Sequence, residues 1–147
     1  MASSRGLSFT RDIYKAMRSM TVFDHFITRG AVLSSGGGGL QVALPVTEDM
    51  LNGGGVLHGG CLATAIDSVS SVGLMTAGED VPIGVSINLN VTYLSPVQEG
   101  DHIVVDSRLK KLGHNVAFLE VDVLNESTGK VAATGMHAKF IGAGRRD

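Results

Sequence analysis

Residues 52–77 read NGGGVLHGGCLATAIDSVSSVGLMTA, and the second half of this stretch decides the fold. From Gly59 to about Ala77 the pattern is helical: Leu62, Ile66, Val69 and Gly73 fall along one face, while Thr64, Asp67, Ser68 and Ser71 form a polar stripe. Small residues crowd around that stripe. Such a helix is expected to be wrapped by other structure on most sides, and Glu79–Pro82 ends it.

Downstream the period changes to two. Val85, Ile87, Leu89, Val91 and Tyr93 are expected to face one way and Ser86, Asn88, Asn90 and Thr92 the other. Ser95–Pro96 and Glu99–Asp101 mark a turn, and Ile103, Val105 and Leu109 begin the next strand. A hairpin at Leu112–Asn115 leads to Val116–Leu124, and a turn at Asn125–Lys130 leads to Val131–Ile141. Three long strands joined by short turns predict an antiparallel meander. Upstream, 47–57 reads as a loop and 30–46 as two short strands around the glycines 36–39. Segment 8–20 reads as a helix, with Ser8 or Thr10 as its N-cap and Ile13, Met17 and Met20 at spacings of four and three. The class is therefore α+β, a curved antiparallel sheet around one long central helix with an additional N-terminal helix. No βαβ alternation supports a doubly wound nucleotide-binding fold. The early glycine run also lacks the Gly-Lys-Ser/Thr ending of a phosphate loop.

Composition narrows the partners. The 147 residues suit one domain spanning 1–147. Charged residues are 18% of the chain, against roughly a quarter in an average domain. Hydrophobic residues reach 44% and mean hydropathy is +0.22, yet no apolar run approaches the ~20 residues of a membrane span. The surplus apolar surface points to contacts between copies, a homo-oligomer. A net charge of −2 and basic pairs only at Lys110–Lys111 and Arg145–Arg146 argue against nucleic acid. Cys61 is the single cysteine, which excludes an internal disulfide and fits a reducing compartment. The five histidines show no metal spacing, so neither metal nor cofactor is expected. Arg5, Arg11, Lys15, Arg18 and Arg29 outnumber Asp12 and Asp24 near the start, a bias like that of a transit peptide but also that of an amphipathic helix. The expected compartment is the cytoplasm, with the mitochondrion as the alternative.

Chemistry concentrates in the opening stretch. His58, Gly59 and Gly60 fall where the long helix begins, with free N–H groups and the positive end of the helix dipole. Glycine there lets a ligand approach the backbone, a suitable cradle for a developing oxyanion, or else serves close packing. Asp67 is a carboxylate in the middle of an apolar helix, costly unless functional or bonded to Thr64, Ser71 or another subunit. Gly59 and Asp67 are eight positions apart, ~12 Å along a helix. If both act on one substrate, they must come from different subunits. Cys61 packs most simply in the helix; a thiol nucleophile would need His58 as its base.

Three stretches, Asn52–Asp67, GVSINLNVTYLSP at 84–96 and STGK at 127–130, together resemble the hotdog-fold thioesterases of the phenylacetic-acid-degradation type. The resemblance spans nearly the whole chain. It implies hydrolysis of acyl-CoA thioesters, with the Gly59 amide holding the oxyanion and Asp67 as general base or as nucleophile. It further implies that Asn52 of the opposite subunit holds substrate or water, and that Ser86 helps place them, though Ser86 also reads as an ordinary half-buried strand serine. His58, Gly60 and His137 are the implied substrate-binding residues, with a helix-start role for His58 as the alternative. Two positions depart from the family: Met136 replaces a basic residue, and Ser68 an amide. The implied assembly is a dimer of dimers. Rival readings are a dehydratase or hydratase of the same fold, which generally pairs a histidine with the helix acid, and a non-catalytic acyl-CoA-binding module.

Overall fold

Helix α2 (Gly59–Met75) begins where the sequence places it and is enclosed as expected, with Ile66, Val69 and Leu74 shut off from solvent. The computed structural model describes residues 4–142, so the Arg145–Arg146 pair lies outside the described residues. The polar stripe is less exposed than its composition suggests, since Ser68 and Ser71 are both buried.

Among the described residues six strands form one antiparallel sheet: β1 (Ala31–Gly36), β2 (Gly39–Pro45), β3 (Val85–Tyr93), β4 (His102–Leu112), β5 (Val116–Asn125) and β6 (Val131–Phe140). Their order across the sheet is β1-β2-β4-β5-β6-β3. The meander is the run β4-β5-β6, and β3 crosses to the far side of β6 to form an edge. Gly37 and Gly38 join β1 to β2 with φ of 62° and 86°, a turn that favours glycine. The sheet curls over α2, and the main core lies between them, built from Leu44, Ile66, Val69, Val121 and their neighbours. The packing is close: a Cβ added at Gly135 on β6 would lie 2.8 Å from Ile66 Cγ2.

Helix α1 (Ser4–Arg18) starts earlier than the 8–20 reading. Ser8 and Thr10 therefore sit inside it and do not cap it. Thr10 is buried instead, its hydroxyl 2.6 Å from that of Ser35 on β1. No helix among the described residues is long and apolar enough to cross a membrane.

Strand β3 breaks the expected alternation. Ser86 pairs with Lys139 and Asn88 with Ala138, so Ile87 is an extra residue in a bulge. Directly opposed residues share a face. Ser86 accordingly faces inward with Lys139, while Leu89, Val91 and Tyr93 face inward with His137, Gly135 and Ala133. The expectation that Ser86 lies opposite to Leu89, Val91 and Tyr93 is thus corrected. A strict period of two cannot reveal a one-residue insertion.

Candidate active site

The inward turn of Ser86 brings it to Asp67. Asp67 Oδ1 accepts from Ser71 Oγ at 3.2 Å and lies 3.4 Å from Ser86 Oγ and 3.7 Å from His137 Nε2. Ser86 Oγ is 2.7 Å from His137 Nε2, and Ser70 Oγ is 2.7 Å from His137 Nδ1. Ser70 gives its proton to the Ile66 carbonyl at 2.6 Å. That assigns the imidazole proton to Nδ1, which donates to Ser70, and leaves Nε2 to accept from Ser86. The Ser71 hydroxyl, which donates to Asp67, accepts in turn from the ammonium of Lys139. A relay of two hydrogen bonds therefore joins a buried cation to the carboxylate.

Burial sets the electrostatics. His137 and Lys139 are almost fully enclosed. Burial lowers the pKa of His137, and the nearby Lys139 lowers it further, against an opposing pull from Asp67. At neutral pH the ring is neutral. Burial also lowers the pKa of Lys139, again opposed by Asp67. Asp67 differs from expectation, because its side chain is 47% exposed in the single chain. The contacts above all fall on Oδ1, while nearly half of the side chain is open.

The N-terminal end of α2 carries a second group of candidate residues. His58 caps the helix: its backbone is extended (φ −64°, ψ 131°) and its Nδ1 accepts from the Gly60 N–H at 2.8 Å. Gly60 therefore already has a partner for its amide. Among the described residues no acceptor meets the Gly59 N–H, while the Gly59 carbonyl accepts from the Tyr93 hydroxyl at 2.8 Å. Asn52 Oδ1 accepts from Gly54 and Val56 N–H at 2.9 and 3.3 Å, shaping the loop and leaving its amide NH2 for other partners. Asn52, Gly59 and Tyr93 line an open cleft of about 360 Å³.

Asp67, Ser86 and His137 thus come together, and so do Asn52, His58, Gly59 and Gly60. The two groups stay apart along α2. Lys139, Ser70 and Tyr93 escaped the sequence reading of the site. Lys139 had a signal: it stands two residues after His137 in a strand, hence on the same face. The spacing gave no such hint for Ser70, whose role depends on the fold. Cys61 is no nucleophile at neutral pH, since burial first and the nearby Asp49 second push its thiol up to about 11. No group of three potential metal ligands occurs among the described residues.

Comparison with known proteins finds relatives for the chain. The thioesterase superfamily profile matches residues 54–132. The chain is 37% identical over 132 residues to mouse (Mus musculus) acyl-coenzyme A thioesterase 13, covering 90% of this chain and 94% of that protein. Against the human (Homo sapiens) protein of the same name, identity is 36% over the same shares. The crystal structure of zebra fish thioesterase superfamily member 2 superposes with a TM-score of 0.88 at 34% identity, covering 93% of this chain and 99% of that one.

Proposed function

This chain belongs to the thioesterase superfamily and is a thioester hydrolase of hotdog fold, and from that premise we propose that it hydrolyses acyl-CoA thioesters to a carboxylic acid and free coenzyme A. The relatives at 36–37% identity are acyl-coenzyme A thioesterases. The observation that carries the mechanism is the half-open Asp67 carboxylate, held by the Ser71 hydroxyl with Ser86 3.4 Å away.

Asp67 takes a proton from water as the water oxygen attacks the thioester carbonyl carbon. The carbonyl oxygen becomes an oxyanion and accepts from the free Gly59 N–H, aided by the helix dipole. The carbon–sulfur bond then breaks, and the departing thiolate recovers the proton from Asp67. The geometry favours a general base over a nucleophile, because Ser71 already donates to Oδ1 and fixes the group's orientation. Asn52 offers its amide NH2 to the substrate beside Gly59. His58 and Gly60 support the cradle indirectly, through the cap that leaves Gly59 free. His137 acts through Ser86, since both of its ring nitrogens are occupied by serines. The same occupancy keeps His137 from serving as the histidine of a dehydratase, a role that would fall instead to His58 of an opposite subunit.

Gly59 and Asp67 are ~12 Å apart on one helix, so one thioester reaches both only if two copies share the site. The exposed edge strand β3 supplies a surface for that pairing, with Val85 63% and Ile87 58% exposed. A second copy joining along β3 would place each Asp67 beside the other copy's Gly59.

The test is thiol release from acyl-CoA by wild type and Asp67→Asn. Loss of the base should lower the rate by about 10²–10⁴-fold with the oligomer intact. Undiminished release by the variant would overturn this mechanism. Binding without release by the wild type would establish the non-catalytic binding module instead.

A further inference from the structure

The proposed oxyanion donor is the amide of a glycine, the residue whose backbone is least able to hold an aim unaided. Gly59 is pinned from outside on both flanks. The peptide that carries its N–H is fixed through the His58 carbonyl, which accepts from Leu62 N–H at 3.0 Å. The following peptide is fixed by the Tyr93 hydroxyl, which donates to the Gly59 carbonyl at 2.8 Å. The Tyr93 ring also lies against the glycine itself. A Cβ added at Gly59 would lie 3.2 Å from Cζ and 3.3 Å from Cε1 of that ring, so the missing side chain is what lets the ring come so near.

Tyr93 is firmly anchored for this task. It is the last residue of β3, paired with Ala133 on β6, and Leu94 N–H continues the attachment by donating to the Ala132 carbonyl at 2.9 Å. The hydroxyl bond to Gly59 is open to solvent, and a bond of that kind adds little to folding. Its main effect is geometric.

We propose that Tyr93 is a positioning residue for the hydrolysis: its hydroxyl and ring hold Gly59 so that the neighbouring N–H stays aimed at the thioester oxygen as charge develops there. This rests on the thioester-hydrolase reading and adds to it a side chain that acts through the backbone. The strand that ends in Tyr93 also carries Ser86, the neighbour of Asp67. Strand β3 therefore supports the base with one residue and the oxyanion donor with another.

Tyr93→Phe deletes the hydroxyl and keeps the ring, and thiol release from acetyl-, octanoyl- and palmitoyl-CoA reads the consequence. On the fastest of these, kcat should fall about ten- to a hundredfold with KM little changed, because a misplaced donor costs the transition state more than the ground state. Two inhibitors separate lost aim from general loosening. One is the difluoroketone analogue of that substrate, with a CH2 between sulfur and carbonyl, which adds water and presents a tetrahedral centre. The other is the same ketone without fluorine, which keeps its planar carbonyl. Tyr93→Phe should weaken the first by about the factor lost in kcat and leave the second almost as tight. An unchanged kcat, or equal weakening of both ketones, overturns this proposal while thiol release by wild type stands. Release from none of the three substrates by wild type overturns it together with the hydrolase reading.

Discussion

Lys139 is the residue whose placement is hardest to explain without chemistry. A buried ammonium is costly, and here its hydrogen bond goes to a serine that serves Asp67. Lys139→Met should lower kcat by about ten- to a hundredfold by releasing the carboxylate from its aim, with KM little changed. Thermal stability should hold or rise, because an apolar side chain replaces a buried charge. Full kcat in that variant would mean the cation only fills space. His137 makes a separate prediction. Burial holds its pKa below the ordinary 6.5, so the unfolded chain takes up a proton first as pH falls. The unfolded state then binds more protons, and stability declines from pH 6.5 downward until the folded form is protonated too. Melting curves at descending pH should show this slope in wild type and a flatter one in His137→Gln. Equal slopes would move the acid sensitivity elsewhere.

At the scale of elements, α2 offers an unusually clean probe of its own N-terminus. Gly59 is the first helical residue, where proline is accommodated, and His58 already has the extended backbone that precedes proline. Gly59→Pro therefore deletes the free N–H while keeping the helix start. The added Cβ would sit 3.2 Å from the Tyr93 ring, which is half exposed and has room to give. If the amide holds the oxyanion, kcat should fall by about 10²–10³-fold, read by thiol release, whereas near-normal turnover would assign the role elsewhere. Most of this architecture was legible beforehand. The helical run from Gly59 and the period-two runs after Val85 gave the two principal elements and the meander, because burial imposes those periods on the residues. Asp67 and Gly59 stood out for the same reason, as a charge and a glycine where neither is needed for packing. The bulge at Ile87 did not, since one inserted residue leaves no compositional mark. With it went the inward direction of Ser86, and the network around Lys139 depends on that pairing. The extended loop at 47–57 concealed a short helical turn, Glu48–Met50, too brief to carry a period.

For the whole molecule, the proposed mechanism makes assembly a condition of activity, because Gly59 and Asp67 lie ~12 Å apart on one helix. Two inactive variants, Asp67→Asn and Gly59→Pro, should restore each other when their subunits are exchanged. A mixed dimer has one site with both defects and one with neither. Random mixing makes half the dimers mixed, so thiol release should recover to about a quarter of the wild-type value. No recovery despite proven subunit exchange would put the whole site within one chain. The same proposed placement has a consequence for gene dosage. A chain defective only in Asp67 still lends its Gly59 to a sound neighbour, so activity falls in simple proportion to the share of defective chains. A chain defective at both ends of the helix spoils every site it enters, and activity then falls as the square of the sound fraction. With equal numbers of the two kinds of chain, two lesions on one α2 and the same two on separate chains therefore leave the same share of sites intact, about a quarter.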